Sequence, residues 1–71
     1  MNTTKETQYL GEVVKKARQH QRLTQLQVAA LSGVGVRFIR ELEQGKASCH
    51  IGKAFMVCQF LGIEIIPIFN E

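Results

Sequence analysis

The stretch from Leu23 to Lys46, LTQLQVAALSGVGVRFIRELEQGK, limits what this chain can fold into more than any other part of it. It holds start and stop signals for two short helices with a glycine turn between them. Thr24 is the residue type that caps a helix N-terminus, its hydroxyl accepting from an otherwise unpaired backbone N–H. Gln27, three residues on, can reach back to the cap's own N–H. Leu23 and Val28 are spaced as the hydrophobic staple that fixes the entry angle of such a helix. The spacing predicts a helix running on Val28, Ala29 and Leu31 and stopping at Gly33, a residue type that tolerates a left-handed C-terminal conformation. Gly35 permits a second turn, and a further helix is predicted over 36–44, ended by Gly45. Two short helices joined by such a turn make a helix-turn-helix. Isolated helices below ~12–15 residues are marginal in water, so the rest of the chain must hold these two at a fixed angle. Ala29 and Gly33 offer small residues where one backbone can approach the other.

The second helix shows what the unit can touch. Ile39 and Leu42, helped by Phe38, recur at helical spacing toward the interior. Arg37, Arg40, Glu41 and Gln44 fall at i, i+3, i+4 and i+7 on the opposite side. A charged stripe on an arbitrary helix is most often a solvated face. Behind a capped helix and a glycine turn, the same residue types fit base edges. Arginine matches the O6 and N7 acceptors of guanine, glutamine suits adenine or a phosphate, and glutamate accepts from the cytosine amine.

Thr24, Gln25, Ala29, Gly33, Ile39, Leu42, Glu43, Gly45 and Lys46 together resemble the helix-turn-helix of the lambda-repressor/Cro (XRE) superfamily. The pattern there is T-Q-x-x-hydrophobic-A, then G, then I, then L-E-x-G-K. The segment RFIRELEQGK, followed by a further helix and a short terminal strand, is similar to HipB-type antitoxins of HipA-kinase toxin–antitoxin systems. That narrower resemblance spans about 10–68. It implies a double-stranded DNA operator, a homodimer and a HipA-like kinase toxin as partners. It also implies an ion pair between Arg18 and Glu43, tying the first helix to the end of the recognition helix.

The whole chain has 71 residues, enough for one domain. A domain of that size buries roughly 60% of the surface its unfolded chain exposes, and gains much from oligomerisation. A hydrophobic fraction of 45% excludes a disordered chain. No apolar run approaches the ~20 residues of a membrane span. Residues 1–8 are polar and resemble no secretory signal. Cys49 and Cys58 are then expected as reduced thiols in a cytoplasm. A net charge of +3 and a pI of about 9.2 permit nucleic-acid binding without demanding it.

Residues 1–6 read as a flexible lead, with Thr3 and Glu6 spaced as a weak capping box. The first helix is predicted over 7–21 with Leu10, Val13, Val14 and Ala17 inward, and Glu12 placed to pair with Lys16. Lys15, Lys16, Arg18, His20 and Arg22 crowd its end, where cations suit the negative end of the helix dipole.

A fourth helix is predicted over 47–61, with Ser48 as cap, Gly62 as stop, and Ile51, Ala54, Phe55, Cys58 and Leu61 buried. Met56, Val57 and Phe60 leave apolar flanks. Cys49, His50, Cys58 and His20 match no zinc-ligand spacing, so no metal and no cofactor is expected, and Cys58 suits a core. The tail, residues 62–71, changes to strand character at Ile63, Ile65, Ile66 and Ile68, with Pro67 confining it to an edge. A lone strand is a template for another chain. The economical partner is the same strand of a second copy, and the alternative is an irregular tail over its own core.

The expected fold is mainly α, a four-helix lambda-repressor-like domain over 7–61 with a dimerisation strand over 62–71. The residues expected on DNA are Thr24, Gln25, Gly35, Val36, Arg37, Arg40, Glu41, Gln44 and Lys46. The expected function is a HipB-like antitoxin and transcriptional autorepressor. An XRE regulator without a toxin is the alternative, and a non-DNA interaction module a third. The chain has no Asp, no glycine-rich phosphate loop and no Cys/His pair placed for nucleophilic work, so no catalytic residue is expected.

Overall fold

The computed structural model describes residues 5–46 and 50–65. Four helices follow one another: α1 (Lys5–His20), α2 (Gln25–Ser32), α3 (Val36–Glu43) and α4 (Ile51–Leu61). Among the described residues there is no strand, and Lys46 alone sits in a single-residue bridge. No described helix is long and apolar enough to cross a membrane.

The core is built from one residue of α1, two each of α2 and α3, and four of α4. Val14, Val28, Ala29, Ile39, Leu42, Ala54, Val57, Cys58 and Leu61 are all buried. Leu10, Ala17, Leu23, Phe38 and Ile63 pack around them. Cys58 is a free thiol, and burial pushes its pKa up, which keeps it a small apolar core residue.

The capping box that opens α2 is complete. Gln27 N–H donates to the Thr24 hydroxyl at 3.0 Å and Thr24 N–H donates to Gln27 Oε1 at 2.8 Å. Leu23 and Val28 both join the core, as a staple should. Four backbone turns close the helices in the same way. Gly33, Gly45 and Gly62 adopt left-handed φ of 83°, 75° and 77°, and Arg22 does so at 60° after α1.

Several sequence expectations are corrected. Helix α1 begins at Lys5, inside the region read as a lead, while Thr3 and its box lie outside the described residues. Glu12 and Lys16 form no ion pair. Leu31 is 63% exposed, because a helix as short as α2 turns only Val28 and Ala29 into the core. Helix α4 begins at Ile51, not at 47. His50 is its cap, with Nδ1 accepting from Lys53 N–H at 3.2 Å, and Ser48 lies outside the described residues. Its buried stripe is Ala54, Val57, Cys58 and Leu61, which leaves Ile51 and Phe55 exposed. Gly33 is required by its backbone angle rather than by a close approach, for nothing presses on it.

The close approaches occur elsewhere. A Cβ on Gly11 would meet the Leu42 carbonyl oxygen at 2.5 Å, so α1 touches the end of α3 backbone to backbone. A Cβ on Gly45 would meet Gln8 Cα at 2.7 Å, which sets the loop after α3 directly on α1. These two glycines fix how closely α3 sits on α1.

Ile63 belongs with α4 and not with a separate tail. Its N–H donates to Cys58 O at 2.8 Å, closing the helix, and its side chain packs on the core. Ile65 is 43% exposed, while Ile66 and Ile68 lie outside the described residues.

Candidate nucleic-acid interface

The outward face of α3 is presented by a buried polar bracket at its far end. Glu43, in the last turn, is only 5% exposed in its side chain, and Arg18 of α1 is 12% exposed. Arg18 Nε donates to Glu43 Oε2 at 2.6 Å and Nη2 donates to Oε1 at 3.0 Å, a two-pronged pairing. Arg18 Nη1 donates to Leu23 O at 2.9 Å, and Gln25 Nε2 donates to Glu43 Oε1 at 3.1 Å. One carboxylate therefore meets α1 and α2 from the end of α3. The hydrogen bonds that Arg18 donates to Glu43 raise its pKa, so its guanidinium is charged at every working pH.

Ile39 and Leu42 face the core, which turns Arg37, Arg40 and Gln44 to solvent. Arg37 is 87% exposed and makes an i,i+4 pair with Glu41 at 3.4 Å. An exposed pair of that kind contributes little, about 0.3–0.5 kcal/mol, so it yields readily to a better partner. Arg40 is exposed and makes no ion pair among the described residues.

Between the starts of α2 and α3 lies an open hollow of about 500 Å³. Its walls bring together Thr24, Gln25, Val36 and Arg40 of the expected site with Arg18, Arg22, Leu23 and Leu26. Gly35 is the N-cap of α3, in extended conformation with open space around it. Gln44 is the exposed C-cap of α3, and Lys46 follows one residue past Gly45, partly buried. The nine expected residues thus fall into the hollow, the outward face of α3 and its two ends. Among the described residues no acidic side chain lines the hollow, although Glu43 stands behind its wall, bonded to Arg18 and Gln25.

A family model described as helix-turn-helix matches residues 14–68, well over half of the chain. The chain belongs to the XRE-type helix-turn-helix family. An uncharacterized HTH-type transcriptional regulator of Sinorhizobium fredii, y4mF, is 45% identical over 56 residues, which are 79% of this chain and 74% of that protein. Among solved structures, a chain of the HipA-HipB-O2-O3 complex matches with a TM-score of 0.81 over 100% of both chains, at 18% identity. The second likeness is one of fold. This XRE-type protein is accordingly a DNA-binding transcription regulator, and α3 is the second helix of its helix-turn-helix.

Two groups escape a reading of the sequence. Arg22 looks like one more cation at the end of α1, and Leu26 like a core residue, yet Leu26 is 66% exposed on the hollow. Position four of the capped helix sits in the core, so the residue two before it is turned out. That offset is the signal from which Leu26 could have been placed.

Proposed function

We propose that this XRE-type regulator binds a palindromic operator in its own promoter as a homodimer, and that it is a HipB-like antitoxin that also binds a HipA-like kinase. The observation behind the DNA reading is the pairing of a rigid bracket with free cations. The Arg18–Glu43–Gln25 contacts hold α3, while Arg37 and Arg40 stand outward with weak or no internal partners. In this reading α3 enters the major groove. Arg37, Arg40 and Glu41 meet base edges, and Val36 meets a thymine methyl. Gly35 lets the backbone come close. Thr24, Gln25 and the N–H groups opening α2 meet a phosphate, and Gln25 still has a second amide proton to give after serving Glu43. Gln44 and Lys46 reach phosphates on the far side.

The homodimer is supported by apolar surface that one copy leaves uncovered. Ile51, Phe55, Met56 and Phe60 on α4 are 66%, 48%, 47% and 38% exposed, and Ile65 follows at 43%. A second copy, pairing through a strand formed by the tail beyond Glu64, would cover much of it and place two recognition helices at half-sites one DNA turn, ~34–36 Å, apart. The antitoxin reading is supported by the fold shared along its whole length with a chain of the HipA–HipB complex. The setting is cytoplasmic.

The relative at 45% identity, named only as a transcriptional regulator, favours a second reading in which no toxin is bound. Co-purification of the tagged protein with the products of its neighbouring genes separates the two. Recovery of a kinase supports the antitoxin, and recovery of the dimer alone supports the plain regulator. The DNA reading is tested by gel shift with the gene's own upstream region. Arg40→Ala should cost about 1–3 kcal/mol there and relax preference at one base position. Equal losses on operator and random DNA would remove Arg40 from the base-reading set.

A further inference from the structure

Each of the four helices ends with a left-handed residue and two backbone bonds folded back onto the last turn. After α4, Gly62 N–H donates to Gln59 O at 3.2 Å and Ile63 N–H donates to Cys58 O at 2.8 Å. After α1, Arg22 N–H donates to Gln19 O at 3.0 Å and Leu23 N–H donates to Arg18 O at 3.1 Å. The bonding is the same, and the residue is not. Three of these positions hold glycine and the fourth holds arginine at φ 60°. A side chain in this conformation crowds the following carbonyl, which is why glycine is the usual occupant. The turn itself gains nothing from the arginine, so its side chain is where a reason is to be sought.

That side chain is exposed, makes no ion pair among the described residues, and lines the hollow beside Gln25, Val36 and Arg40. The hollow also adjoins the N-terminus of α2, the positive end of a helix dipole. Arg18 in the same wall is matched by Glu43, which leaves Arg22 and Arg40 without an acidic partner among the described residues and open to an anion from outside.

We infer that Arg22 is a clamp on the DNA backbone, its guanidinium gripping a phosphate at the edge of the groove that α3 enters. This deepens the DNA reading above and rests on it. Guanidinium and phosphate match as a planar fork to paired oxygens. Such a contact adds affinity through counterion release and no sequence preference.

The test compares full-length wild type, Arg22→Gly and Arg22→Lys on the gene's upstream region and on a random-sequence duplex, across a salt series, with melting at one protein concentration. Arg22→Gly should raise Tm by about 4 to 8 °C, because glycine relieves the crowded turn. It should weaken both DNAs about fivefold per protomer at 0.15 M salt, and flatten the slope of log K against log salt by about 0.9 per protomer. Arg22→Lys should keep the wild-type Tm and most of the affinity. A glycine variant with unchanged affinity and slope overturns the clamp, and so does a loss confined to one DNA sequence. A glycine variant no more stable than wild type removes the strain from which the inference starts. Wild type that shows no salt-sensitive binding to either duplex fails the underlying DNA reading as well, and so separates the two failures.

Discussion

At Glu43 a single carboxylate accepts from Arg18 of α1 and Gln25 of α2 while lying nearly buried in α3. Removing one partner of such a pair strands the other charge away from water, which costs about 3–5 kcal/mol. A domain of this size has little more than that to lose. Arg18→Ala and Glu43→Ala are each expected to drop the urea midpoint steeply or abolish folding. Arg18→Met combined with Glu43→Leu should recover more than half of the loss, since no charge is then stranded. A loss of stability below about 1 kcal/mol for either single change would show the pair to be a surface ornament. The pair was legible only through family resemblance, for nothing in the spacing of residues 18 and 43 brings them together. Gly11 was not legible at all. A glycine inside an amphipathic helix looks like a weak point until the carbonyls of Leu42 and Glu43 are found pressed against it. Arg22 was hidden for the opposite reason, since arginine gives no hint of a left-handed backbone.

Among the elements, α2 and α3 were readable from sequence because each signal there is local. The Thr24 and Gln27 box, the stops at Gly33 and Gly45, and Ile39 with Leu42 all act within a few residues. Helix α4 was harder. Its sequence IGKAFMVCQFL is apolar on most sides, so two stripes fit helical spacing equally well, one through Ile51 and Phe55 and one through Val57 and Leu61. Packing against α1 and α2 chose the second. Its start was misread because a serine was a better candidate by type than a histidine. The imidazole at His50 is a modest cap, its Nδ1 accepting one N–H at 3.2 Å. Aspartate in its place would accept the same bond and also face the positive end of the dipole. His50→Asp is therefore expected to stabilise the domain by about 0.5–1 kcal/mol, read as a rise in urea midpoint at neutral pH. A fall in midpoint would mean that the imidazole ring, not its nitrogen, is what the helix start requires.

For the molecule as a whole, the fold buries the inward stripes of four helices and leaves the outer surface of α4 apolar. A single copy has no means of covering Ile51, Phe55, Met56 and Phe60 with its described residues. Gly62 and Ile63 close α4, so a cut placed after Glu64 spares the helix end that a cut before Gly62 would destroy. Deleting 65–71 is expected to leave helical content intact and halve the mass by light scattering. Operator affinity should fall by two or more powers of ten, because each half-site then binds alone. An unchanged mass would assign the dimer contact to α4 itself and free the tail from that role. The strand was read from β-branched residues and a proline, signals that say how a segment prefers to extend but not what it pairs with.

The bracket at Glu43 has a consequence for how such a regulator can diverge. Because α3 is anchored from behind, the exposed side chains at 37, 40 and 44 are hardly constrained by the fold, whereas Val36 also packs against the core; in the proposed reading those three answer to the promoter. New addresses are thus reachable by a handful of codon changes, each tolerated structurally as it arises. Duplicated copies of this gene could part company in the DNA they address while remaining interchangeable in how they are built.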